Sequence, residues 1–281
     1  MSMGMKDPAG ESQPIPYLHG DDSAFTTRWH TGRRAEKQGR FFLPYLQPGM
    51  TLLDCGCGSG SITLGLAKIV APGQVIGVDL STVEIDRARL SADQQKVTTV
   101  RFATGDLYHL DYVDASFDAL FCHNVLEHLD DPLAALREMQ RVLTPGGVIG
   151  GRDTDMGGIL LHPPDPSLLE WFALYEADWC SVRGDSRFGR RLPGMLRQAG
   201  FGTVKPMASY DIFGDRQGVA LTAEVASSRC HDADYRQRLA NRGLATPARL
   251  AELADAWLAW AEHPDAFFAV AHGEAVGWKE I

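Results

Sequence analysis

Short hydrophobic runs alternate with longer amphipathic stretches between residues 50 and 153. The stretches predict helices, because Ser81 begins a capping box and Asp131 stands before a proline at the first helical position. Strands that alternate with helices predict right-handed crossovers and a mostly parallel sheet covered on both faces. The hydrophobic runs that predict these strands lie at 51–55, 75–79, 99–103, 118–122 and 148–153.

Beyond residue 155 the alternation is less regular, and the predicted elements are longer. Tryptophan and tyrosine recur at helical spacing in the first of them, which favours core packing over a substrate pocket. The predicted helices lie at 166–181, at 192–199 and within 219–262, and the predicted strands lie at 203–213 and 267–278.

These patterns divide the chain into an N-terminal tail with a helical lid over 1–46 and a larger unit over 47–281. The tail is rich in Pro, Gly and polar residues, and a basic helical pattern at 26–46 follows it. The larger unit is expected to contain a core at 47–155, variable substrate-side helices with a sixth strand at 156–265, and a last strand at 266–281.

Composition excludes several classes of protein. Hydrophobic residues make up 44% and charged residues 22% of the 281 residues, which is typical of a globular protein. The net charge of −9 argues against generic nucleic-acid binding, and no apolar run reaches the ~20 residues of a membrane span. Five sparsely placed cysteines and a start without an apolar segment indicate a reducing compartment, so a cytoplasmic location is expected.

The most informative segment contains three alternate glycines, Gly56, Gly58 and Gly60, between the first predicted strand and a helix. Glycine adopts positive φ and lets the backbone approach a ligand, and the N–H groups of a helix N-terminus favour a polar or anionic group. A plain strand-to-helix connection is the alternative. The dinucleotide fingerprint needs Gly or Ala at position 61, where this chain has Ser61.

Two acidic residues follow later strands. Asp79 ends the second predicted strand about 20 residues after the glycine turn, where a carboxylate can accept both hydroxyls of a ribose. Asp106 follows the third strand, between Gly105 and Leu107. Because the carboxyl ends of parallel strands meet at one edge, these groups predict a ligand site at that edge.

Together with segments 117–128 and 141–147, these motifs resemble the class I S-adenosylmethionine-dependent methyltransferases. The resemblance covers residues 50–153 and is nearest to the small-molecule branch that includes ubiquinone- and menaquinone-biosynthesis enzymes; residues 155–281 agree in layout only. It implies an α/β, Rossmann-like, mostly parallel seven-stranded sheet flanked by helices, with an N-terminal helical lid and a helical insertion before the last strand.

The resemblance also implies the cofactor, S-adenosyl-L-methionine, with S-adenosyl-L-homocysteine as its product. No metal is expected, because Cys55 and Cys57 have no second Cys/His pair at zinc-site spacing. The residues expected to bind the cofactor are Asp54, Gly56, Cys57, Gly58, Gly60, Asp79, Leu80, Gly105, Asp106, Leu107 and His123.

No catalytic residue is fixed by the sequence, because methyl transfer needs a base only when the nucleophile carries a proton. His123 and His128 are the candidate bases, since imidazole titrates near neutral pH. Alternatively, His123 packs beside the cofactor and His128 caps a helix. The residues predicted to line a substrate pocket are Tyr17, His19, Trp29, His128, Arg152 and Trp179. The alternatives to a pocket role are a place in a linker, in a solvated loop or in the hydrophobic core.

The function predicted is methyl transfer to a small-molecule acceptor. The alternatives are a catalytically silent S-adenosylmethionine-binding module and a nucleotide-linked oxidoreductase; Ser61 and Asp106 weigh against the latter. A homodimer is compatible with the sequence, and no nucleic-acid or membrane partner is expected. The acceptor, and whether its O, N, C or S atom is methylated, stay open.

Overall fold

Seven strands form one sheet in the computed structural model, which describes residues 32–181 and 184–281. The strand order is β3-β2-β1-β4-β5-β7-β6. Strands β1 to β5 pair in parallel, and β7 runs antiparallel to both of its neighbours. The predicted mostly parallel sheet is therefore confirmed. The strands are β1 (Leu52–Cys55), β2 (Val75–Asp79), β3 (Val100–Thr104), β4 (Phe117–His123), β5 (Leu143–His162), β6 (Thr203–Phe213) and β7 (Phe267–Trp278).

Helices flank the sheet and fill the insertions after β5 and before β7. Their starts follow local capping chemistry: the hydroxyl of Ser81 accepts the N–H of Glu84, and the carboxylate of Asp131 accepts the N–H of Ala134. The helices are α1 (Ala35–Gln38), α2 (Ser61–Val70), α3 (Thr82–Gln95), α4 (Pro132–Val142), α5 (Pro166–Ser181), α6 (Leu192–Gln198), α7 (Arg216–His231), α8 (Ala233–Asn241) and α9 (Pro247–Ala261).

Hydrophobic packing covers both faces of the central strands. Leu53, Leu120 and Ile149 lie on one face with side chains of α4 and α6. Leu52 and Phe121 belong to a second cluster on the other face, with side chains of α2. All four residues of β1 are buried, as expected for a strand covered from both sides.

The antiparallel pair of β5 and β7 continues well beyond the carboxyl ends of the other parallel strands. After a bulge that follows Asp155, the pairing resumes at Leu160 with Ala269 and ends at His162 with Phe267. This extension carries a separate hydrophobic cluster, the cap, formed by α5, α7, α8, α9 and the start of β7. The cap therefore stands beyond the carboxyl edge of the sheet.

Three expectations about the elements need correction. The helix predicted at 26–46 is, within the described residues, only α1 and a short 3-10 turn at Leu43–Tyr45, because Gly39 and Pro44 interrupt it. The helical region at 219–262 consists of three helices: the start at Asp232 was not expected, whereas the start at Thr246 is the one that Thr246 and Pro247 predict.

The third correction concerns β5, which was expected at 148–153. It begins at Leu143 and crosses the expected boundary at residue 155, because its pairing with β7 continues past the bulge. In the part of the chain that the structure describes, no helix is long and apolar enough to cross a bilayer.

Candidate active site

The glycine turn joins β1 to α2 with three left-handed residues. The φ angles of Gly56, Gly58 and Gly60 are +73°, +50° and +77°, a region that favours glycine. The N–H groups of Gly56 and Cys57 both donate to the carbonyl of Val78, at 2.8 and 2.9 Å. The turn is thus held against the end of β2.

Two of these glycines are packed, and one borders open space. A Cβ at Gly56 would lie 2.3 Å from a methyl carbon of Val125, and a Cβ at Gly60 would lie 2.7 Å from the ring of Phe102. A Cβ at Gly58 would meet nothing nearer than a carboxylate oxygen of Glu84, at 4.0 Å. The backbone of Gly58 is therefore the part of the turn that a ligand can approach.

The Asp79 carboxylate lies beside this open backbone. Its Oδ2 accepts the N–H of Gly58 at 2.8 Å, and its Oδ1 accepts the N–H of Ser81 at 3.0 Å. Asp79 therefore ties the glycine turn to the start of α3.

Asp54 is buried under the turn, at the end of β1. Its Oδ2 accepts the hydroxyl of Thr63 at 2.6 Å. Burial raises the pKa of Asp54 to about 7, the hydrogen bond from Thr63 opposes that shift, and the charge of Asp79 adds to it. Burial also raises the pKa of the Cys57 thiol well above its usual value, so this cysteine is a protonated side chain in the wall of the turn.

The ends of β2 and β3 form the next part of the edge. Gly105 donates its N–H to the carbonyl of Asp79 at 3.0 Å, which brings the two loops together. Asp106 is exposed and accepts the N–H of Tyr108, whereas Leu107 is buried. The side chain of Leu80 is 61% exposed at the same edge, an apolar group available to a ligand.

Two buried carboxyl groups support the loop after β4. Oδ1 of Asp153 accepts the N–H groups of Val125 and Glu127, at 3.1 and 3.2 Å, and Oε2 of Glu127 accepts the N–H of Thr154 at 2.6 Å. Burial raises the pKa of Glu127 to about 8 and that of Asp153 to about 7, and the two charges oppose each other. The backbone donors around Asp153 favour its charged form, so Glu127 is the protonated member near neutral pH.

His128 connects this loop to the cap. Its ring stacks on Trp179 of α5 with centroids 5.2 Å apart, and its Nε2 lies 3.5 Å from Oε1 of Glu127. Burial, with a further contribution from Arg33, lowers the pKa of His128 to about 4. At neutral pH the imidazole is uncharged and a weak proton acceptor, which weighs against His128 as the candidate base.

Arg152, in the middle of β5, lies beside His123, the last residue of β4. The Arg152 side chain is 1% exposed, and its Nη1 lies 2.8 Å from Nε2 of His123. Arg152 also binds Asp211 of β6 and Glu274 of β7. Sequence reasoning expected Arg152 in a pocket or a solvated loop and missed both carboxylates, because their strands are distant in sequence and only the sheet order brings them together.

Of the residues predicted from sequence, the structure brings the cofactor set and His128, Arg152 and Trp179 to the carboxyl edge and the base of the cap. Tyr17, His19 and Trp29, as well as the tail expected to form a lid, lie outside the described residues. Among the described residues, no group of three or more His, Cys, Asp or Glu side chains could hold a metal ion.

Comparisons with known proteins agree with this geometry. The family described as "Methyltransferase domain" matches residues 53–150. A probable methyltransferase of Aspergillus luteorubrus is 31% identical over 288 residues, covering 96% of this chain and all of that protein. The chain is a class I S-adenosylmethionine-dependent methyltransferase.

Two further similarities place this methyltransferase among its relatives. A demethylmenaquinone methyltransferase of Staphylococcus aureus is 33% identical over 133 residues, which are 46% of this chain and 51% of that enzyme. The crystal structure of the YcgJ protein from Bacillus subtilis has the same fold, with a TM-score of 0.59 at 20% identity, over 88% of this chain and 99% of that one. The oxidoreductase alternative is wrong, since the relatives that match nearly the whole chain are methyltransferases.

Proposed function

We propose that this methyltransferase transfers the methyl group of S-adenosylmethionine to a small molecule held between the carboxyl edge of the sheet and the cap. The observation that carries the proposal is the contact of His128 with Trp179, which joins the loop after β4 to α5. Because the cap contacts the loop after β4, an acceptor bound at this edge would have protein on two sides. Such a space favours a compact acceptor over a macromolecule.

The same edge fits the cofactor. Asp79 would bind the ribose, the backbone of Gly58 would approach the amino-acid part of the cofactor, and Leu80, Asp106 and Leu107 would border the adenine. S-adenosylmethionine supplies an electrophilic methyl group, so the main task of the protein is to hold the acceptor in line with it.

Charge supports the choice of a small acceptor. The chain carries 27 basic and 36 acidic side chains, and several arginines near the site are already engaged by carboxylates. A surface that binds nucleic acid needs an excess of cationic side chains over a continuous area. The similarity to a demethylmenaquinone methyltransferase and to other methyltransferases supports the same class of acceptor.

The test uses S-adenosylmethionine labelled at the methyl group and an extract separated by size into metabolites and macromolecules. We expect the label to enter the metabolite fraction with the wild-type protein. Asp79→Asn should lose most of this transfer, whereas Asp86→Asn, in an exposed ion pair on α3, should retain it. Label in the macromolecular fraction would refute the small-molecule proposal, and binding of the cofactor without transfer into either fraction would support a silent module.

A further inference from the structure

We propose that Arg152 is a positioning residue that fixes His123 in the tautomer with its proton on Nδ1. The proposal rests on the placement of this pair beside the cofactor site proposed above. Its basis is the 2.8 Å contact between Nη1 of Arg152 and Nε2 of His123. A guanidinium group only donates hydrogen bonds, so Nε2 of His123 is the acceptor and carries no proton.

Carboxylates on two other strands fix the guanidinium group. Nε of Arg152 lies 3.2 Å from Oε1 of Glu274 and 3.3 Å from the hydroxyl of Ser209, and Nη2 lies 3.2 Å from Oδ1 of Asp211. Ser209 in turn donates to Glu274. Side chains from three other strands, β4, β6 and β7, thus contact one arginine, so it cannot turn away from His123 without breaking several charged contacts.

The imidazole of His123 is buried and has two near-parallel ring neighbours. Its centroid lies 6.4 Å from that of Phe121 at an interplanar angle of 7°, and 6.2 Å from that of His272 at 17°. His123 is 6% exposed. The ring therefore has little freedom to exchange the positions of its two nitrogens.

The charges around the pair oppose a proton on Nε2. A protonated Nε2 would be a second donor directed at Arg152, in a site with little water to screen two cations. The same environment acts on the nearby His272. Burial is the larger cause that lowers the pKa of His272 to about 3, and the positive charge of Arg152 is the second. The titratable groups that face the pair from all packed elements are Arg33, Lys37, Asp211, His272 and Glu274.

A fixed Nδ1–H tautomer changes the role of His123 in the reaction. Its Nε2 cannot accept a proton from the methyl acceptor, so His123 is not the base that sequence reasoning allowed. The residue instead provides an uncharged ring of constant orientation at the carboxyl end of β4. Because this ring lies beside the proposed cofactor site, it would help to define the position of the acceptor.

The test is nitrogen NMR on the full chain with ¹⁵N-labelled histidine, with His123→Gln used to assign the His123 signals. We expect the pattern of an Nδ1–H tautomer, unchanged between pH 5.5 and 8.5. We expect addition of S-adenosylhomocysteine to move the His123 signals without changing their tautomer pattern. An Nε2–H pattern, a titration of His123 in this range, or no response to S-adenosylhomocysteine that binds by calorimetry would overturn the proposal.

A variant separates positioning from folding. Arg152→Lys keeps a buried cation but loses the planar group that contacts His123, Asp211 and Glu274 together. We expect its His123 to show both tautomers or to titrate. Arg190→Lys is the matched control, because Arg190 pairs with Asp155, which lies on β5 three residues after Arg152. The His123 signals of this variant should equal those of the wild type. If Arg152→Lys folds and keeps the wild-type pattern, Arg152 does not set the tautomer.

Discussion

At the scale of single residues, backbone N–H groups hold the carboxylates of the site in place before any ligand binds. Asp79 accepts two backbone N–H groups, and Asp153 accepts two from the loop after β4. Such groups are held in one orientation, so ligand binding costs little side-chain entropy. The site is therefore preorganised at its carboxylates.

Asp79→Asn should weaken binding of S-adenosylhomocysteine by at least about tenfold. The amide nitrogen cannot accept the N–H of Gly58 or Ser81, and a hydrogen bond to a charged group contributes roughly 1.5–3 kcal/mol. Isothermal calorimetry at constant salt measures the effect, with Asp86→Asn as control. Unchanged affinity in the folded Asp79→Asn variant would exclude a ribose contact.

Sequence reasoning identified Asp79 because it ends a strand at a fixed distance from the glycine turn, and Asp54 through the resemblance of the glycine-rich motif. It could not assign Glu127, because a glutamate in a loop gives no sign of burial. Glu127 is 1% exposed only because Thr154, on a neighbouring strand, supplies its hydrogen-bond donors. Partners from distant segments leave no local pattern.

At the scale of elements, the glycine turn separates ligand approach from packing. Gly58→Ala should lower affinity for S-adenosylhomocysteine by tenfold or more, at a stability cost of about 1–2 kcal/mol for its positive φ. Gly60→Ala adds a contact of 2.7 Å with Phe102 and should lose more stability than Gly58→Ala. Chemical denaturation and calorimetry on both variants test this; equal effects of the two on affinity and stability would contradict it.

The side chain of Lys279 binds the C-terminal end of helix α4. The Nζ of Lys279 donates to the carbonyls of Gln140, Arg141 and Leu143, at 2.8, 3.3 and 2.7 Å. These carbonyls lie at the negative end of the helix dipole. Lys279→Met should lower the free energy of unfolding by about 1–3 kcal/mol in urea denaturation. The control Lys68→Met, at an exposed position of α2, should change the free energy of unfolding little. Equal losses in the two variants would show that Lys279 does not stabilise the end of α4.

The elements themselves were largely predictable where local chemistry marks their ends. Sequence reasoning placed α5, β6 and β7 at their observed bounds, since proline or glycine residues flank each one. It started β5 too late, at residue 148, because Pro145, Gly146 and Gly147 are typical of a helix end followed by a loop. Pairing with β4 and β7 makes that segment a strand, and no local pattern contains this information.

At the scale of the whole molecule, buried titratable groups give stability an optimum in pH. Folding raises the pKa values of Glu127 and Asp153 to about 8 and 7, so above their unfolded values near 4 the folded protein binds more protons than the unfolded chain. The contribution of these two groups to stability therefore falls as the pH rises from about 4 to about 8. Folding lowers the pKa values of His128 and His272 to about 4 and 3, so their contribution falls as the pH drops from about 6.5 to about 4. The two effects oppose each other between about pH 4 and 6, where the maximum should lie, and stability should decline steadily between about pH 6.5 and 8.

Glu127→Gln tests the alkaline side of this optimum. The amide oxygen can still accept the N–H of Thr154, but the side chain no longer ionises. Each extra proton bound by the folded state contributes a slope of about 1.4 kcal/mol per pH unit. Denaturation between pH 6 and 9 should therefore show a shallower decline for Glu127→Gln than for the wild type or for Glu262→Gln, at an exposed position. Parallel declines in all three proteins would show that Glu127 does not hold the proton.

The long antiparallel pair of β5 and β7 limits which segments such a protein could exchange with its relatives by recombination. A recombination joint at residue 155 would fall inside β5, where Asp155 is paired with Ala271. The first part of β5 would then come from one parent, and the strand that pairs with it, β7, from the other. The segment that bears the cap and the strand that completes the sheet must then be inherited together, as one cassette from residue 143 to residue 278. A change of acceptor specificity by recombination would therefore replace the cap together with strands β5, β6 and β7. The preceding part of the chain, which carries the glycine turn, would stay unchanged.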